Sequence, residues 1–130
     1  MSIVVGYIPT LEGRAALERA ITEARTAQAR LIVVNSSPGN AYTDPRFVQE
    51  EEAESLRKRL EESKIDYRIL QPLRGHDAAE DVIQAAEEHQ ADLVVIGLRK
   101  RSAVGKLLLG STAQRILLQA HCAVLAVKAE

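Results

Sequence analysis

Apolar residues fall along this chain in two rhythms that alternate. Short uninterrupted runs occur at Ile3–Ile8, Leu31–Val34 and Leu93–Ile96. They are rich in Val and Ile and carry little polar alternation, the pattern of strands buried on both faces. Tyr67–Leu73 alternates in part, which predicts a strand nearer a sheet edge, and Ala123–Val127 is a last short apolar run. Between these runs the apolar period becomes helical. Leu17, Ala20, Ile21, Ala24 and Ala27 share one face of a helix predicted over 11–29. Val48, Ala53, Leu56 and Leu60 do the same over 46–63, and Ala79, Val82, Ile83 and Ala86 in the next helix. Ala113, Ile116, Leu117 and Ala120 mark the last one.

The punctuation between the runs fits this reading. Pro9-Thr10 ends the first strand, and Thr10 is placed to cap the helix that follows, with Glu12 and Glu18 toward its dipole-favoured start. Asn35 to Asn40 is a loop signal that continues to Asp44-Pro45. Arg74-Gly75-His76 is a turn, and Asp77 is the next N-cap. The order is therefore β-α-β-α-β-α-β-loop-α-β over a single domain, 1–130. Strict alternation with short connections implies a parallel sheet with helices on both faces. Ligands of such open sheets sit beyond the carboxyl ends of the strands, where the strand order reverses. Residues 8–10, 35–37, 74–77 and 97–100 fall at those ends.

The last of these segments carries the most chemistry. Gly97 follows a buried strand, Arg99, Lys100, Arg101 and Lys106 come next, and Gly110-Ser111-Thr112 opens a helix. Unpaired N–H groups and the dipole at a helix start attract anions, so the stretch reads as an anion cradle. A solvated basic loop is the plainer reading of the four cations.

Composition narrows the partners. Apolar residues make up 46% and charged residues 27% of the 130, and the net charge is −1, so there is no global field for nucleic acid or membrane. Aromatics are 3%, and none interleaves the basic cluster, which argues against a nucleic-acid surface. One cysteine excludes a disulfide framework within the chain and a cysteine-zinc cluster. No run approaches the ~20 apolar residues of a membrane helix. The start, MSIVVGYI, lacks a basic n-region and reads as a strand, which points to a cytoplasmic location.

Two nucleotide motifs are absent. Gly105-Lys106 is followed by Leu107, so the P-loop pattern fails, and no G-x-G-x-x-G follows the first strand. The chain instead places Gly97, Lys100 after two residues, and Gly110-Ser111 after nine more. With Ala85–Gly97 before it and Ala120–Val127 after it, this segment resembles the C-terminal half of a universal stress protein (UspA-type) domain, in which G-x2-G-x9-G-[ST] links the fourth strand to the last helix. Element order and length match across all 130 residues.

The resemblance implies a five-stranded parallel sheet in the order 3-2-1-4-5, and a site for ATP or AMP in a stress-response role. Phosphate and ribose would lie on Gly97, Gly110, Ser111 and Thr112, with Arg99 beside them, and adenine at Ile8, Pro9, Thr10 and Ser36, with Gly75 at the third strand's end. Small residues suit a backbone that must approach phosphate closely. Two positions depart from the family pattern. Lys100 replaces the second glycine, where a Cβ is costly if the position needs φ > 0, or where the ammonium reaches phosphate as a point charge. Ile8 replaces an Asp common in ATP-binding members. A Mg²⁺ ion could accompany a triphosphate, and the stretch from Ala91 to Thr112 offers no carboxylate placed to hold it.

Other reactive residues have simpler readings. His121 and Cys122 point to opposite sides of an extended segment, and Cys122 reads as a small core residue. His76 lies near the proposed site, and His89 suits a helix C-terminus. No nucleophile-base pair or metal-ligand set emerges, so the expectation is a binding or signalling module and not an enzyme. The competing expectation is a nucleotide-independent dimeric interaction module with a degenerate site. A flavin carrier fits the architecture and lacks an aromatic loop for the ring. The apolar run Ala123–Val127 would form a bare sheet edge, which predicts a homodimer through this strand.

Overall fold

Each apolar run forms a strand and each helical rhythm a helix in the computed structural model, which describes residues 1–36, 45–71, 77–99 and 110–129. In chain order the elements are β1 (Ser2–Tyr7), α1 (Leu11–Ala27), β2 (Arg30–Asn35), α2 (Pro45–Ser63), β3 (Tyr67–Leu70), α3 (Ala78–Glu88), β4 (Leu93–Arg99), α4 (Ser111–Gln119) and β5 (Ala123–Ala129). The strands form one five-stranded sheet in the order β3-β2-β1-β4-β5. Every neighbouring pair is parallel. The expected topology is therefore the observed one.

Side-chain alternation divides the core into two layers. Ile3, Val5, Leu31, Val33 and Val95 face α1 and α2, where they meet Leu17, Ile21, Leu56 and Leu60. Val4, Ile32, Val34, Val94 and Ile96 face α3 and α4, where they meet Val82, Ala86 and Ile116. The central strands are thus apolar on both sides, which is why their sequences showed no alternation. β3 and β5 are the edges, and each is only partly buried.

Several boundaries differ from the sequence reading, β1 running from Ser2 to Tyr7 without Ile8 and β3 ending at Leu70. β4 does not stop at Ile96. It continues through Gly97, Leu98 and Arg99, because β5 offers partners to the end: Gly97 opposite Val127, Leu98 opposite Lys128 and Arg99 opposite Ala129. A glycine that looks like a strand terminator is held in the ladder by its neighbour. β5 correspondingly extends to Ala129. α1 ends two residues early, because Gln28 takes the left-handed conformation (φ 53°) and its N–H closes the last turn on Ala24 and Arg25. Leu117, expected on the inward face of α4, is 40% exposed, and Leu118 is 83% exposed. Only Ile116 of this helix is fully buried. Leu73, the predicted end of the third strand, and the side chain of Val48 lie outside what the structure describes.

Candidate functional site

β1 has β2 on one side and β4 on the other, so the strand order reverses there. A cleft of about 570 Å³ opens at the carboxyl ends of these strands. Its floor is Gly6, Tyr7 and Ile8 from the end of β1, Ser36 beyond β2, and Ile96, Gly97, Leu98 and Arg99 of β4. Ala78 and Val82 of α3 form one wall, and Gly110, Ser111, Thr112, Ala113 and Ile116 form another. The first turn of α1, Glu12 and Gly13, completes the lining.

Two glycines hold that first turn against the strand ends. A Cβ on Gly13 would lie 1.8 Å from the Ile8 carbonyl oxygen, and one on Gly97 would lie 2.0 Å from the Glu12 carbonyl oxygen. Neither position has room for a side chain. Gly97 therefore lines the cleft, yet its lack of a side chain is already required by α1.

Gly110 is different. A Cβ there would meet no atom of the described residues within 4 Å. Its backbone (φ −66°, ψ 162°) is one that any residue adopts. Neither packing against the described residues nor conformation calls for glycine here. Gly110 is exposed and lines the cleft.

The helix starts also differ. Thr10 Oγ1 accepts a hydrogen bond from the Gly13 N–H (3.1 Å), and Asp77 Oδ1 accepts one from the Ala79 N–H (3.0 Å). Both residues were read as caps from the sequence. α4 has Gly110 at its N-cap, which has no side chain to close the helix start. Its first intrahelical bond runs from the Gln114 N–H to the Gly110 carbonyl (3.0 Å). The earlier amides of this helix have no place in the intrahelical ladder, and their residues line the cleft. Arg99, an exposed cation, stands at the end of the neighbouring strand. These groups and the dipole of α4 make this end of the cleft attractive to an anion.

The opposite end carries a different signal. Ser36 is anchored by its N–H to the Tyr7 carbonyl (3.0 Å). Its Oγ is buried and has no hydrogen-bond partner among the described residues. A buried hydroxyl without a partner costs about 1–3 kcal/mol, which a polar ligand group can recover.

Of the residues expected to bind, Ile8, Ser36, Gly97, Arg99, Gly110, Ser111 and Thr112 come together in the cleft. Pro9 and Thr10 are not in its lining, and the Thr10 hydroxyl is engaged in capping α1. Gly75, Lys100 and His76 lie outside the described residues. The sequence reading missed Glu12 and Gly13 as lining residues. Their place just after the first strand was the available signal, but which strand that turn would touch was not legible.

Two further reactive side chains among the described residues are perturbed by burial. Burial pushes the Cys122 thiol up from its ordinary range, and the charge of Asp92 adds to this. The residue packs against the α3–α4 side of the core. Burial likewise pushes up the Tyr7 phenol, Glu52 adding to the effect and Arg14 opposing it. Among the described residues no group of three or more His, Cys, Asp or Glu is placed to hold a metal ion. No described helix is long and apolar enough to cross a membrane.

Comparison with known proteins places the fold in a family. The family model of the universal stress protein family matches residues 1–128. A universal stress protein of Mycolicibacterium smegmatis is 46% identical over 126 residues, covering 97% of this chain and 96% of that one. Two structures of universal stress proteins from Archaeoglobus fulgidus cover 98% of this chain and 98% of theirs. One superposes with a TM-score of 0.79 at 30% identity. The other, in complex with dAMP, gives 0.73 at 26%. A universal stress protein in complex with cAMP gives 0.68 at 25% identity, covering 100% of this chain and 98% of that one.

Proposed function

The chain belongs to the universal stress protein family, and from that premise we propose that its cleft binds an adenine nucleotide, AMP or ATP, in a stress-response binding or signalling role. The observation that carries this reading is the start of α4, where Gly110 supplies no capping side chain and has no described atom near its missing Cβ. Phosphate oxygens would accept from the first amides of α4, and Arg99 would add a cationic contact. The base would lie toward Ile8 and Ser36, where the unpartnered Ser36 hydroxyl meets a polar edge. The dAMP and cAMP complexes of the structural neighbours support the choice of an adenine nucleotide. Mg²⁺ enters only as the companion of a triphosphate, because Glu12 is the single carboxylate residue among the described lining residues. The module binds and reports, without a catalytic step, in the cytoplasm.

The partner is a second copy of the chain. β5 is hydrogen-bonded to β4 on one side only. Val124, Leu125, Ala126 and Val127 are all partly exposed there. Antiparallel pairing of two such edges about a two-fold axis would cover both.

Calorimetric titration with AMP and ATP tests the binding. Saturable binding to the native protein, lost in Gly110→Asp, is the expected result. No binding of either nucleotide favours the interaction-module reading. Binding that survives Gly110→Asp puts the site elsewhere.

A further inference from the structure

We propose that Glu12 is the residue with which this cleft recognises the ribose hydroxyls, so that the protein selects ribonucleotides over nucleotides that lack the 2′,3′-diol. This inference rests on the nucleotide reading above and names a specificity determinant within the same site.

Three observations carry it. The first is position. Across the cleft the lining runs from Ser36 after β2, to Ile8 after β1, to Gly97 on β4, and then to the start of α4. Two strand spacings, ~10 Å, separate β2 from β4. A nucleotide with its base at Ser36 and its phosphate on α4 has its sugar over the junction of β1 and β4. Glu12 is rooted at that junction, since a Cβ on Gly97 would lie 3.1 Å from the Glu12 Cβ.

The second is fixed placement. Gly13 on the Ile8 carbonyl and Gly97 on the Glu12 carbonyl clamp the first turn of α1 between the two strand ends. The root of the side chain is therefore set before any ligand arrives, which lowers the ordering cost of a contact.

The third is chemistry. Arg14, Arg19, Arg30, Arg59 and Arg115 all pair with carboxylates elsewhere. Glu12 has no such partner among the described residues, is half-buried, and is the one acid of the described lining. A carboxylate accepts hydrogen bonds and cannot donate them. The donors of a nucleotide in the middle of this cleft are its sugar hydroxyls, and a carboxylate at the carboxyl edge of a parallel sheet is suited to them.

The test compares AMP with 2′,3′-dideoxy-AMP by calorimetry. The native protein is expected to bind AMP about tenfold or more tightly than the dideoxy nucleotide, as befits hydrogen bonds to a charged acceptor. In Glu12→Ala the two affinities converge to within about twofold, while that for the dideoxy nucleotide stays near its native value. Glu12→Gln keeps the shape, loses the charge and gives an intermediate ratio. A loss of structure would lower both affinities together and leave their ratio unchanged, so the ratio separates recognition from folding. A native protein that binds both nucleotides equally, or a Glu12→Ala protein that retains the native preference, overturns the assignment to Glu12 and leaves nucleotide binding standing. If the native protein binds neither nucleotide, the reading of the cleft falls and this inference falls with it.

Discussion

Gly97 and Gly110 share a sequence motif and have different physical reasons to be glycine. Gly97 is pressed against the Glu12 carbonyl, whereas Gly110 has no described residue against it. Gly97→Ala is therefore expected to destabilise the fold by about 1–3 kcal/mol, the range for forcing atoms into a filled site. Gly110→Ala should leave stability within about 0.5 kcal/mol and weaken nucleotide binding. Urea denaturation of the two variants beside a nucleotide titration checks both halves. The motif spacing was legible in the sequence, but this division of labour was not, because it depends on which backbone lies against each glycine. Ser36 illustrates the same limit. It reads as a loop residue, and only the packing around it shows a buried hydroxyl without a described partner. Cys122 gives a pH test at this scale. Its thiol is held above the ordinary range by burial and by Asp92, so the thiolate appears only at a higher pH than in the unfolded chain. Stability from this group is fully present below the unfolded pKa and is lost as pH rises through the folded one. Iodoacetamide labelling should accordingly rise with pH later in the native protein than in urea. Coincident profiles would contradict the shift.

Among the elements, the helix starts separate structural from functional ends. α1 and α3 are closed by Thr10 and Asp77, and both caps were readable from residue type and position. Asp77 also pairs with Arg115 of α4, which ties the two helices beside the cleft together. Thr10→Ala should cost about 1 kcal/mol, measured by thermal or urea unfolding, as expected for loss of an N-cap. Gly110→Asp should behave in the opposite sense. Its carboxylate would cap α4 and change stability by only a few tenths of a kcal/mol, while occupying the amides that a phosphate needs. Retained stability with lost binding is the expected pair of results, and retained binding would remove α4 from the site. The order and type of the elements were legible because each strand keeps its apolar run and each helix its period. The end of β4 was not, since pairing with β5 carried the strand past a glycine that reads locally as a stop. Leu117 misled for a similar reason. Its position fits the apolar stripe of α4, but this short helix buries only the line through Ile116.

In the molecule as a whole, the cleft follows from topology. The order β3-β2-β1-β4-β5 places the ends of β1 and β4 side by side, and the following segments supply the walls. The same order leaves β5 at an edge, with Leu118 exposed on the preceding helix. Light scattering should give a particle of twice the 14.3 kDa chain mass, and a monomer at micromolar concentration would remove the proposed pairing. The family fold and the motif residues could be read from the chain alone. The place of Glu12 and its contact with Gly97 required the third dimension, because they join α1 to a strand more than eighty residues away. On the proposed reading an adenine nucleotide occupies this cleft with its phosphate on α4. A ¹H–¹⁵N correlation spectrum titrated with AMP tests it most directly. Saturable shifts at the amides of Ser36, Gly97, Gly110, Ser111 and Thr112 are the predicted result. A spectrum unmoved at millimolar AMP, or shifts confined to α2 and β5, would contradict it.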